Sequence, residues 1–226
     1  MFNWYASMLI LIPAVLLGIY AQIKVKTAFA KWSKVGNAAG LSGAEAAERI
    51  LKAAGVAGVT IKPATGFLSD NYNPMNHTLN LSEEVYGSTS IAAVGVAAHE
   101  AGHAIQHARG YFPLALRTVL VPAAQFGNFL WIILFMAGFF FNSPTMMWAG
   151  ILIFSAAVAF TIITLPVEFN ASSRALRALD DSGILVSNEL QGAKAVLGAA
   201  ALTYVAAALM AILQLLRLIL LARGRD

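Results

Sequence analysis

The sequence predicts a mostly α-helical membrane protein with about four transmembrane helices and one small α+β domain, and three observations carry that expectation. Hydrophobic residues make up 59% of the chain against 12% charged, which is not the composition of a soluble globular protein. Several apolar runs reach the roughly 20 residues that cross a hydrocarbon core. Between the first two of them lies a more polar stretch with turn and strand patterning, and it holds all four histidines of the chain. With no cysteine there are no disulfides and no thiolate metal ligands. The formal charge of +4 does not point to nucleic acid, because the Lys and Arg residues cluster beside apolar segments, where they orient a protein in a bilayer.

Residues 1–23 carry no charged side chain and form the first expected transmembrane helix. Lys24, Lys26, Lys31 and Lys34 follow it. A cleaved signal peptide has its positive charge before the apolar run, so this order favours an uncleaved anchor. By the positive-inside rule these lysines hold the next segment, a domain over residues 24–117, in the cytoplasm. Within it, Ser42 with Glu45 is a capping-box pattern that opens an Ala-rich helix ending at Gly55. Val59–Lys62 reads as a short strand, Asn73–Asn76 as a turn, and His77–Leu81 as a second strand. In that strand Thr78, Leu79, Asn80 and Leu81 could present an edge to an extended peptide substrate; a hairpin that merely covers the next helix fits as well. Ser88, Thr89 and Ser90 offer N-caps to a helix over about residues 88–109, with Gly110 beyond it.

Residues 118–167 read as a transmembrane hairpin, with Asn142–Thr145 as its turn and Gln125 and Asn128 facing other helices. Both ends of a hairpin lie on one side of the membrane, so Glu168 returns to the side that holds the histidine-rich helix. An acidic residue at the end of an apolar run needs a reason to be there. Residues 168–194 are polar and in part helical, and residues 195–226 form a fourth transmembrane or re-entrant helix with a basic tail at Arg217, Arg223 and Arg225.

The chemistry is concentrated in A-A-H-E-A-G-H-A-I-Q, Ala97–Gln106. Residues four apart stand on one helix face, so the imidazoles of His99 and His103 can converge on one cation, and zinc suits two neutral nitrogen ligands. Glu100 can lie beside that cation without ligating it and take a proton from an activated water. A chance pair of histidines on a helix is the plainer alternative. His99, His103 and His107 fall within one short run, and an acidic residue amid so many alanines favours the metal.

The order H-E-A-G-H-A-I-Q at His99–Gln106, a two-span hairpin, and L-P-V-E-F-N-A-S at Leu165–Ser172 resembles the YugP-type membrane zinc metallopeptidases of bacteria. N-Y-N-P at Asn71–Pro74 and L-N-L-S at Leu79–Ser82 are similar to that family's segment before the helix. More distantly the layout resembles the HtpX and CAAX prenyl protease superfamily. The likeness implies a zincin-like domain of the gluzincin type, a Zn2+ cofactor held by His99, His103 and Glu168, and Glu100 as general base of peptide hydrolysis. The superfamily carries an aspartate four residues after the glutamate, where this chain has Ser172. Ser172 or Asn170 would then support a histidine in its place. Rival third ligands are Asp180, Asp181 and His107, the last about 6 Å along the helix from His103 and too far to share an ion without a bend. Arg174 and His77 are candidates for the donor that steadies the oxyanion, against plainer roles as a flanking charge and a strand residue.

The substrate class expected is a membrane protein or membrane-associated peptide, and the compartment a cell membrane crossed several times. Two other readings stay open. An intramembrane metalloprotease would place the motif helix in the bilayer with an aspartate ligand, although only about eight apolar residues precede His99. A scaffold or assembly factor would hold a structural or vestigial metal, although no fourth ligand of the kind that closes a structural site is evident.

Overall fold

The computed structural model describes residues 7–66 and 69–224, without the side chains of residues 123 and 128. Expectations placed on the first six residues, on Arg225 and on the side chain of Asn128 lie outside the described residues. The chain is mostly helical, with one three-stranded sheet. In order come α1 (Ile12–Trp32), α2 (Gly43–Ala53), β1 (Thr60–Ala64), β2 (Asn71–Asn73), β3 (Thr78–Ser82), α3 (Glu83–Tyr86), α4 (Ile91–Ala108), α5 (Phe112–Phe140), α6 (Pro144–Asp181) and α7 (Ser187–Arg223). Among the described residues three helical stretches, Leu9–Trp32, Pro144–Asp181 and Ser187–Arg223, are long and apolar enough to cross a membrane. A fourth is added if α5, bent by 47° between Phe112–Pro122 and Ala124–Phe140, is one span. The bend falls where Pro122 removes a backbone donor from the helix interior.

The chain divides into two compact units. One comprises Gln22–Leu114 and Val167–Ala201. Here local signals work as the sequence implies. Ser42 caps α2 in a complete capping box with Glu45, and Gly55 follows in the left-handed region at φ 68°. Ser90 caps α4 by accepting a hydrogen bond from the Ala93 amide at 3.2 Å, and Gly110 ends it at φ 62°. Fourteen of the eighteen residues of α4 are buried, so its apolar sequence is explained by the core of this unit rather than by lipid. That core packs α4 against Ile50 and Leu51 of α2, Leu79 and Leu81 of β3, and Ala175 and Leu179 of α6.

The sheet corrects the expected edge strand. Its order is β1-β3-β2, with β3 parallel to β1 and antiparallel to β2. The strand of Thr78, Leu79, Asn80 and Leu81 is thus the central one, paired with β1 along its length and with β2 over Thr78–Asn80, so it is not an edge strand. β2 escapes a sequence reading because Asn71–Asn73 is three residues of turn-like composition; only the tight return through Pro74–His77 lays it against β3.

The other unit comprises Ala115–Pro166, Leu202–Asp226 and the N-terminal stretch to Ala21. Phe135, Met147, Ile151, Phe154 and Leu218 form its core. Glycines let the two helices of the hairpin touch: a Cβ on Gly150 would lie 2.8 Å from the Trp131 carbonyl oxygen, and one on Gly138 would lie 2.6 Å from the Met147 nitrogen. Gln125, expected to face another helix, is exposed within this chain. Arg217 is not a flanking charge, since it is buried and its Nε donates to Ser7 Oγ at 3.0 Å.

Several expected segment ends fall inside continuous helices. The helix of the expected return span does not stop near Pro166, which is accommodated within α6, so Glu168 stands in mid-helix, while the division between the two compact units falls at Pro166 and Val167. Likewise Lys24 continues α1, and Ala195 lies within α7. Helical backbone satisfies its own polar groups in lipid and in water alike, so a change of polarity along the chain does not require a break.

Replacing Gly150 with Leu forces its side chain into the backbone of α5. It should lower the stability of the detergent-solubilised protein by roughly 1–3 kcal/mol, read as a fall in the thermal unfolding midpoint. Gly55→Ala, at an open position, tests only the cost of its positive φ and should move the midpoint less.

Candidate metal centre

The motif residues lie on α4, one turn apart, and the carboxylate comes from α6. Their approach depends on Gly102 between the two histidines, because a Cβ there would sit 2.6 Å from the Ala171 carbonyl oxygen of α6. Only a glycine lets the two backbones come this close. Glu168, one turn before Ala171, consequently reaches both rings, with its Oε2 3.1 Å from His99 Nε2 and 3.6 Å from His103 Nε2. One ligand atom from each of His99, His103 and Glu168 falls within 4.8 Å of the others. Glu168 is 2% exposed and His103 7%, so these groups are withdrawn from water.

A second layer of hydrogen bonds sets the tautomers. Arg174 has donors only, and its Nε donates to Asn170 Oδ1 at 2.7 Å, which fixes the orientation of that amide. Gln106 is fully buried, and its Nε2 donates to the Val167 carbonyl at 2.8 Å and to Asn170 Oδ1 at 2.9 Å. Its Oε1 therefore faces His103 Nδ1 at 3.0 Å, and an oxygen there can only accept, so Nδ1 carries the proton. The lone pair of His103 is left on Nε2, toward Glu168. His99 is held from the opposite side by Ser172 Oγ, 3.1 Å from its Nδ1. A hydroxyl can accept from this ring nitrogen, so it can do what a carboxylate would, without bringing a charge.

Electrostatics favour a cation. Burial alone would lower the His103 pKa, but the hydrogen bond with Glu168 and the negative charges of Glu100 and Glu168 outweigh it and raise it above the ordinary histidine value. Two imidazole nitrogens and one carboxylate oxygen, converging, buried and backed by oriented partners, make a donor set that suits zinc with a coordination position left over. Glu100 follows His99 on the same helix and is 8% exposed.

The remaining sequence candidates are placed elsewhere. Asp180 and Asp181 are exposed at the end of α6, about 18 Å along the helix from Glu168. His107 turns to Tyr72, whose Oη lies 2.9 Å from its Nδ1, and its ring centroid is 5.1 Å from that of His77. Arg174 is engaged with Asn170, with its guanidinium carbon 6.0 Å from the centroid of the Tyr111 ring. Gln106 and Gly102 are the residues that sequence reasoning passed over. Gln106 falls three positions after His103, a spacing that shares a helix face, and that was the available signal.

Similarity to known proteins agrees with this picture. A family model described as "Putative neutral zinc metallopeptidase" matches residues 7–223. The chain is 46% identical over 216 residues to the "Putative membrane protease YugP" of Bacillus subtilis (strain 168), covering 95% of this chain and 96% of the relative. No solved structure matches.

Two outcomes follow for metal binding. Replacing Gln106 with Leu removes the acceptor that orients His103 and should weaken zinc affinity by about ten- to a hundredfold, measured by competition with a chromophoric chelator. Because protons already favour His103 above its ordinary pKa, they compete with metal from a higher pH than at a free imidazole. Affinity should therefore be full above that raised pKa and decline as pH falls through it, and the decline should begin at lower pH in Glu100→Gln, which removes one of the charges raising it.

Proposed function

The chain belongs to the family described as "Putative neutral zinc metallopeptidase", and from that premise we propose that it is a membrane-bound, zinc-dependent endopeptidase of the gluzincin type with a zincin-like catalytic unit. The observation that carries the reading is the convergence of Glu168 with His99 and His103 beside a buried Glu100.

In this reading His99 and His103 present their Nε2 atoms, and Glu168 a carboxylate oxygen, to zinc. The metal, when bound, supplies a Lewis acid that makes water acidic enough to ionise near neutral pH and stabilises negative charge on the scissile carbonyl. Glu100 is the general base and then the general acid. It accepts a proton from the attacking water as that oxygen bonds to the carbonyl carbon, and it delivers the proton to the amine as the C–N bond breaks. Ser172 and the chain of Gln106, Asn170 and Arg174 keep the two imidazoles in the tautomers that ligate. Arg174, tied to Asn170, serves as a positioning residue in this scheme. His77 packs on His107, which is bonded to Tyr72, and has no part in this scheme.

Glu168 follows directly on the apolar run of α6, so the site is close in the chain to a candidate membrane span. That position favours membrane proteins or membrane-associated peptides as substrates. The lysines after the first apolar run and the arginines after Glu168 support a multi-pass protein with its catalytic unit on the cytoplasmic side.

The test is a pair of variants assayed for metal and for peptide cleavage. Glu100→Gln should keep zinc near one equivalent and lose activity by roughly a hundred- to ten-thousandfold. Glu168→Ala should lose both zinc and activity. A protein that retained its cellular role as Glu100→Gln would be acting as a scaffold, and zinc retained undiminished by Glu168→Ala would remove the third ligand.

A further inference from the structure

Outside the metal centre, the unit of Gln22–Leu114 and Val167–Ala201 has a groove of about 490 Å³ between the end of α1 and the start of α7. We infer that this groove binds the headgroup phosphate of an anionic phospholipid, with three lysines as its ligands. The inference does not rest on the hydrolytic reading, since none of the residues involved belongs to that site.

Lys24, Thr27 and Lys31 line one wall, spaced three and four apart on a single face of α1, and Lys194 lines the other from α7. The Lys31 ammonium stands 4.9 Å from the centroid of the Trp32 ring, which also borders the groove. Two glycines shape it. Gly192 brings the helices together, because a Cβ there would lie 2.6 Å from the Trp32 ring, whereas the position of a Cβ on Gly198 has nothing within 4 Å. The trough is thus closed at the Trp32 end and open beside Gly198. Among the described residues no carboxylate lines it. Glu189, the acid in the first turn of α7, is occupied in accepting from the amides of Ala38 at 2.7 Å and Val186 at 3.0 Å. The Thr27 hydroxyl donates to the Ile23 carbonyl at 2.9 Å within its own helix, so the lysines are the groups left to meet a ligand. Three lysine side chains lining one cavity call for a compact anion with several acceptor oxygens, which is the chemistry of phosphate.

The position of the lysines points to lipid as its source. Lys24 is the first charge after the uncharged run of residues 1–23, and Lys194 immediately precedes the uncharged run of residues 195–216. Both therefore stand where the apolar part of a candidate membrane helix begins, the level of headgroups in a bilayer. Just before Lys24, α1 exposes Ile23, an apolar surface suited to an acyl chain.

The experiment is native mass spectrometry of the full chain, released from neutral detergent with equal amounts of phosphatidylglycerol and phosphatidylcholine. The wild type should retain one phosphatidylglycerol in preference. The triple variant Lys24→Gln, Lys31→Gln, Lys194→Gln should lose that preference by about tenfold or more. Gly198→Phe, which keeps every charge but fills the open end, should lose it too. Lys26→Gln with Lys34→Gln, which removes charge from the same segment outside the groove, should not. Zinc content should stay at the wild-type level throughout, reporting an intact fold. Retention by the triple variant or by Gly198→Phe would overturn the assignment. Equal loss in the Lys26 and Lys34 variant would show diffuse attraction in place of a site. Displacement of the lipid by millimolar inorganic phosphate would show a free-anion site and overturn the lipid as occupant.

Discussion

The meeting of one carboxylate with two imidazoles is the constraint around which the unit of Gln22–Leu114 and Val167–Ala201 is arranged. Glu168 and His103 are both withdrawn from water, and burying an ionisable group alone is costly. Each becomes tolerable because the others are there, and a cation among them would satisfy all three at once. That meeting is possible only because α4 and α6 approach backbone to backbone at Gly102 and Ala171. A side chain at position 102 would separate the helices and with them the ligands. The close contact is thus a functional requirement of a residue whose own side chain is a hydrogen atom.

The hydrogen bonds behind the ligands follow a direction that can be worked out from chemistry. A guanidinium that can only donate orients Asn170, and a backbone carbonyl that can only accept orients Gln106, so the last member of the chain, His103, has one permitted tautomer. On the other ring the partner is a serine, with Ser172 Oγ 3.1 Å from His99 Nδ1. A hydroxyl there adds no second negative charge behind His99.

Much of this was legible in the chain. Ser42 with Glu45 and Ser90 with Gly110 bracket helices by local rules, and local hydrogen bonding is what a cap consists of. His99, Glu100 and His103 share a helix turn, so their proximity follows from the helical repeat alone. Other features were not legible, for identifiable reasons. Whether β3 is an edge or a centre depends on β2, a strand too short to announce itself. The continuity of α6 through Pro166 was hidden because proline signals a stop in isolation, and neighbours decide whether the helix goes on.

Taken by itself, the sequence determined the membrane composition, the caps, the pair of histidines and the residue types able to hold zinc, since each of these depends on neighbours within a turn or two. The tertiary structure alone decided that Glu168 rather than Asp180, Asp181 or His107 joins the histidines, and that Gln106 and Ser172 orient them. Glu168 and Ser172 stand 69 and 73 positions from His99. Their distance in space is set by how closely two helices pack, and helical periodicity within either one carries no information about that.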